Sequence, residues 1–159
     1  MSLYHFFNNF KNVLKNDLSM KIMICSSMKF AEDIIKVKEK LELIGHQVSI
    51  PIDTEYIIQN PDLPDNLEKD CEHLRSSGII KKCFNLIAGS DCVLVLNYKK
   101  NGIDGYIGTS VIMEIGIAHF LGKKIFLMNP IPDFNKHRWA HEIEAIEHKV
   151  INGDLNQIG

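Results

Sequence analysis

Apolar residues in this chain follow two rhythms, short solid runs and stretches that recur every three to four positions. Residues 21–25 form a solid run that Ser26 and Ser27 break off. Runs of that kind are strands covered on both faces, as in a parallel sheet. Over residues 31–43 the spacing changes. Ile34, Ile35, Val37, Leu41 and Ile44 fall near one helical face, and Gly45 stands where a helix commonly ends. Residues 47–50 predict a second strand, stopped by Pro51. Residues 51–66 carry Pro51, Pro61 and Pro64 and hold no sustained period, which predicts a long loop of the kind that serves as a lid or specificity element. Helices are predicted at 67–75 and 79–88, and the clearest strand at 91–96. A glycine-rich loop and an apolar helix follow, then a strand at 124–128, a helix at 138–147 and a short strand at 149–151.

Strands alternating with helices, the strands mostly apolar, predict an α/β fold: a three-layer, doubly wound, five-stranded parallel sheet of the flavodoxin or Rossmann-like kind. Right-handed crossovers favour the strand order 2-1-3-4-5. Ligands of such sheets bind beyond the carboxyl ends of the strands, where the winding reverses, here between the first and third strands. Cys25, Ser26, Ser27 and Met28 lie there after the first strand, and Asn97 after the third. The loop ending in Gly108 and Thr109 feeds the following helix, and Asn129 follows the fourth strand. These eight residues are the binding candidates.

Residues 1–19 stand apart. Phe6, Phe10, Val13 and Leu14 recur at helical spacing among Asn and Lys, which predicts an amphipathic arm ahead of a single domain at 20–159. No apolar core precedes a small-residue cleavage site, so the segment does not read as a signal peptide, and Met20 offers a second start position. With 45% hydrophobic residues in 159, the chain is large enough for one full core. A formal net charge of −2 without long basic runs points away from nucleic acid. No apolar run has the length of a membrane span. Cys25, Cys71, Cys83 and Cys92 form no C-x-x-C pair, and Cys25 and Cys92 fall in predicted strands, so a reduced, cytoplasmic protein is expected.

One carboxylate breaks the apolar pattern. Between Val111 and Leu121 the strongly polar residues are Glu114 and His119 alone, which predicts a buried helix. An ionised Glu in such a place costs several kcal/mol without compensation. Glu114 follows the cap expected at Thr109 or Ser110 closely enough for the helix dipole and loop amides to hold it ionised. A desolvated carboxylate beside a glycine loop is a candidate nucleophile, and equally a structural Glu in an ion pair. Other motifs carry less. The loop GIDGYIG is neither a P-loop nor a dinucleotide fingerprint. His137 and His141 miss the H-E-x-x-H pattern, so no metal site is expected, and His119 is expected to be a core histidine. No elbow signature of a nucleophilic Ser or Cys is present.

Two segments, SDCVLVLN from Ser90 and GYIGTSVIMEIGIAHFLGKKIFLMNP from Gly105, resemble the nucleoside 2-deoxyribosyltransferase superfamily, which includes deoxynucleoside monophosphate N-glycosidases. The matching features are the strand at Asp91, the Gly108-Thr109 loop end, the block Glu114-Ile115-Gly116-Ile117-Ala118, and Gly122-Lys123-Lys124-Ile125. The Cys25-Ser26-Ser27 turn is similar to the family's opening substrate loop. The resemblance spans roughly residues 20–130 and implies the same doubly wound fold.

It also implies cleavage or transfer at the N-glycosidic bond of a nucleoside or nucleoside monophosphate. Glu114 would attack the anomeric carbon, and water or a second base would release the sugar. No cofactor is implied, and a homodimer or larger homo-oligomer is. Two positions depart from the family pattern. The helix position of the proton-donating Asp, eight residues before Asp91, holds Cys83, and the gap from Gly108-Thr109 to Glu114 is two residues longer. Asp104 or Asp53 could supply the proton instead. The alternative is a non-catalytic nucleotide-binding module on the same fold. A flavin site is disfavoured, because the first turn lacks a phosphate-wrapping run of Ser, Thr and Gly.

Overall fold

The computed structural model describes residues 19–159, so the arm expected at 1–19 lies, but for Ser19, outside the described residues. Five strands, β1 (Lys21–Ser26), β2 (Gln47–Ser49), β3 (Cys92–Leu96), β4 (Lys124–Leu127) and β5 (Lys149–Val150), form one all-parallel sheet in the order β2-β1-β3-β4-β5. The register pairs Ile22 with Cys92 and Ser26 with Leu96, then Val93 with Ile125 and Val95 with Leu127. Successive side chains point to opposite faces, so each strand feeds two cores. Met23, Cys25, Val93, Val95, Ile125 and Leu127 form one, and Ile22, Ile24, Leu94, Leu96 and Phe126 the other.

Helices cover both faces, completing a three-layer flavodoxin-like architecture. Helix α1 (Ala31–Leu43) lays Ile34, Val37 and Leu41 on the second core, joined by Ile151 and Ile158 from the chain end. Ile44, expected on that face, lies past the last helical turn and is exposed. The first core is covered by α4 (Ile79–Ala88), α5 (Thr109–Phe120) and Ile143 of α6 (Arg138–Glu144). Among the described residues no helix is long and apolar enough to cross a membrane.

Three expectations are corrected. Residues 51–66 are not a loop throughout, because they contain helix α2 (Thr54–Gln59) and a 3₁₀ turn at Leu63–Asp65 that lead into α3 (Leu67–Ser77). Helix α5 is buried on one side only: Val111, Glu114, Ile115 and Ala118 face inward, while Met113 and Phe120 are exposed. His119 is therefore solvent-facing and not a core histidine. Finally, neither Thr109 nor Ser110 caps α5. Gly108 holds the cap position, with no side-chain cap bond.

Candidate active site

The chain leaves β1 and β3 toward helices on opposite faces, so the loops beyond their carboxyl ends diverge and leave a crevice. There a cavity of about 300 Å³ opens, at the small end of the roughly 300–1,000 Å³ range of small-molecule sites. Ser26, Ser27 and Met28 line it from β1, and Gly108, Thr109 and Glu114 from the start of α5. Six of the nine residues singled out in the sequence thus meet at one cavity.

Glu114 sits on the second turn of α5, only 8% exposed, with no cation within ion-pair distance among the described residues. Burial dominates its titration and pushes the carboxyl up to about 7, an interaction with the Cys25 thiol pulls it down, and the charge of Asp53 raises it again. The helix start does not hold this carboxyl in the ordinary range, as the sequence suggested it could. Cys25 lies behind Glu114, fully buried. Its thiol is raised well above its usual value, by burial first and by the Glu114 charge second.

Asn97 and Asn129 go elsewhere. Asn97 is fully buried, donates from Nδ2 to the Asn129 carbonyl at 2.7 Å and accepts from the Asn129 amide at 2.8 Å. Asn129 returns a bond from its own Nδ2 to the Asn97 carbonyl at 3.2 Å. These reciprocal bonds clamp the ends of β3 and β4, outside the lining of the Glu114 cavity.

Three further side chains are also at this cavity, and of these the sequence offered only Asp53, as an alternative proton donor. Asp53 lines it and is 7% exposed. Although it holds the N-cap position of α2, its carboxylate makes no cap bond and turns instead to His73 of α3, with Oδ2 3.3 Å from Nε2. Its Oδ1 is buried and has no hydrogen-bond partner among the described residues. Asp70 lines the same wall, its carboxyl raised mainly by burial. Lys100 enters from the loop after β3. Asn101 and Gly102 both have positive φ, and paired Lys100 and Ile103 backbones close a tight turn around them. The ammonium donates to Ser27 Oγ at 2.9 Å and lies 5.6 Å from the centre of the Tyr106 ring. It has no carboxylate within ion-pair distance among the described residues, and burial lowers its pKa.

The rest of the loop is held by close packing. At Gly105, with φ +69°, a Cβ would stand 2.0 Å from the Pro130 carbonyl oxygen, so only glycine lets this loop lie against the chain leaving β4. Cys83 of α4 lines the cavity as well. Burial, then the charges of Glu114 and Asp53, push its thiol up to about 12. A thiol so reluctant to ionise is a poor proton donor near neutral pH.

Chemically, the cavity offers a desolvated carboxyl poised near neutrality, a second carboxylate bonded to an imidazole, and, at the mouth of β1, an ammonium with no acidic partner within ion-pair distance among the described residues. Compared with protein-family models the chain matches none, and a search of curated proteins likewise returns no match.

Proposed function

We propose that this protein cleaves or transfers the N-glycosidic bond of a nucleoside or nucleoside monophosphate, with Glu114 as the attacking carboxylate. The observation that carries this reading is the placement of Glu114: buried, without a cation beside it, on the wall of a ligand-sized cavity at the carboxyl edge of the sheet. A structural Glu in such a place needs a cation, and the described residues give it only the Cys25 thiol. The resemblance around Glu114 supports the same assignment. Attack at the anomeric carbon gives a glycosyl ester, and an oxocarbenium-like transition state is stabilised by the adjacent carboxylate.

The cavity suits such a ligand. Leu74, Ile80, Phe84 and Tyr106 supply apolar and aromatic surface for a base. Lys100 with Ser27 provides for an anionic group, which favours a 5′-phosphate on the sugar. Neither a metal nor a cofactor is needed for this chemistry. Free Cys25, Cys71, Cys83 and Cys92 accord with a reducing, cytoplasmic setting. Exposed Met113 and Phe120 on α5, with Ile80 on α4, give the expected homo-oligomer an apolar face to cover. The second reading, a module that binds a nucleotide without turnover, is favoured by one observation, the thiol of Cys83 at the position where the family carries its acid.

The test is base release. Purified protein is incubated with deoxynucleosides and their 5′-monophosphates, with and without a free second base, and the bases are separated by chromatography. Release or exchange that rises with pH through about 7, as Glu114 ionises, and vanishes in Glu114→Gln supports the glycosidic reading. Tight binding of a panel member without release, by both proteins, supports the binding module.

A further inference from the structure

The geometry points to Asp53, held by His73, as the proton donor to the leaving base. This inference rests on the glycosidic reading of Glu114 and fills the role that Cys83 cannot. Three observations carry it. Asp53 is a buried carboxylate on the wall of the same cavity as Glu114. One of its oxygens is engaged by His73 Nε2 at 3.3 Å, while the other is buried and has no partner. A buried polar atom without a partner carries a desolvation penalty, which a ligand group that hydrogen-bonds to it removes. In turn the His73 ring is fixed by Tyr56, stacked at 4.9 Å between centroids and 16° between planes. The carboxylate is thus oriented by a ring that is itself oriented, and its second oxygen has no partner among the described residues.

The proton count closes. At the start Glu114 is ionised, Asp53 carries the proton to be transferred, and His73 is neutral with its Nε2–H on the other Asp53 oxygen. A Glu114 oxygen forms a bond to the anomeric carbon as the bond from that carbon to the base nitrogen breaks. The electron pair of the broken bond stays on the base, which takes its proton from Asp53. In the second half Asp53 removes a proton from water, or from the N–H of an incoming base. The resulting nucleophile displaces Glu114 as carboxylate. Each group ends as it began. The titratable groups facing Asp53 are His73 and Asp70 from α3, Cys83 from α4 and Glu114 from α5. Cys83 stays neutral across the working range and takes no part in the transfer. Asp53 is the catalytic residue in this scheme and His73 the positioning residue.

The experiment compares a purine deoxynucleoside monophosphate with its N7-methylated counterpart, whose cationic base departs without needing a proton. For Asp53→Asn, cleavage of the ordinary nucleotide should fall about 100-fold or more. Cleavage of the methylated one should stay within about threefold, because its leaving group has no use for general acid catalysis. Glu114→Gln should lose both. His73→Ala, which takes the hydrogen-bond partner from one Asp53 oxygen, should lower cleavage of the ordinary nucleotide more than that of the methylated one, and His73→Gln, whose amide can donate to the same oxygen, should recover most of the difference. A merely structural histidine would lower both substrates alike. Equal losses on the two substrates in Asp53→Asn would overturn the acid assignment, and equal losses in His73→Ala the positioning role, while leaving Glu114 in place. Full activity of Glu114→Gln, or no cleavage of either substrate by the unaltered protein, would overturn the glycosidic reading and this assignment with it.

Discussion

Glu114→Gln should make the protein more stable at alkaline pH, and the size of the gain follows from the site. Burial raises the carboxyl from an ordinary 4.5 to about 7. That is a factor of roughly 300 in proton affinity, or about 3 kcal/mol at 1.36 kcal/mol per tenfold. The folded state holds this proton more tightly than the unfolded chain does. Between pH 4.5 and 7 the native protein therefore binds more protons, and stability falls as pH rises across that window. At pH 8 the ionised carboxylate costs the fold the full amount, whereas at pH 5 the loss is below about 1 kcal/mol. Glutamine keeps the shape of the protonated acid and never ionises. Relative to the unaltered protein, Glu114→Gln should gain about 3 kcal/mol at pH 8, or about 6–12 °C in Tm for a chain of this size. Near pH 5 the two should melt closely together. Thermal melts followed by far-ultraviolet circular dichroism at pH 5, 6, 7 and 8 check this. Burial, the largest cause, keeps the thiols of Cys25, Cys83 and Cys92 protonated across this pH range in both proteins, so they do not enter the comparison. A variant that melts at or below the unaltered protein at pH 8, or a gap that does not grow with pH, would refute the reasoning. Glu114 would then be held ionised by a partner, and the case for a strained, reactive carboxylate would fall with it.

Two further substitutions separate ligand contacts from scaffold. Lys100→Met removes the ammonium beside Ser27, so KM for a nucleoside monophosphate should rise about tenfold or more, given charge-assisted bonds of roughly 1.5–3 kcal/mol. KM for the unphosphorylated nucleoside should stay within about twofold, and equal losses on both would remove Lys100 from any phosphate site. Asn97→Ala breaks the clamp between β3 and β4 and leaves Asn129 backbone groups unpaired, which should cost about 2–4 kcal/mol in urea unfolding at unchanged m-value. The KM of the folded variant should not move. A raised KM with an unmoved midpoint would return Asn97 to the binding site.

The sheet was legible because parallel strands buried on both faces need solid apolar runs, and this chain has them at β1, β3 and β4. Order and binding edge followed from chain topology, and with them Ser26, Ser27, Met28, Gly108, Thr109 and Glu114. Other parts of the site were hidden for separate physical reasons. Helix α2 is six residues long and buries only Thr54 and Ile57, too few turns to show a period between Pro51 and Pro61. Asp53, at its start, read as a loop residue. Lys100 had a signal that could have found it, the pair Asn101-Gly102, which favours a two-residue turn and folds the neighbouring lysine back toward β1. Asn97 and Asn129 bond each other outside the lining of this cavity, a placement the sequence could not show, because a polar residue at a strand end reads the same whether it faces a ligand or its neighbour across the sheet.

The cysteine at position 83 then has a physical explanation. Cys83 and Asp53 belong to different elements, yet the Cys83 thiol meets the Ile52 backbone and feels the Asp53 charge. Both side chains line one cavity, with Glu114 on its wall. A carboxylate at position 83 would be one more acid in a space that already holds Asp53, Asp70 and Glu114, with no cation within ion-pair distance of Glu114. Like charges so placed cannot all ionise, and each added one pushes the others toward their protonated forms. Glu114, already raised to about 7, would be driven further from the ionised state that attack requires. A neutral thiol fills the position without that penalty. On the proposed reading, with Asp53 brought to the cavity by the segment before α2, an uncharged side chain at position 83 keeps Glu114 able to ionise. A carboxylate supplied by another element and a cysteine on α4 are, on that reading, two sides of one electrostatic constraint.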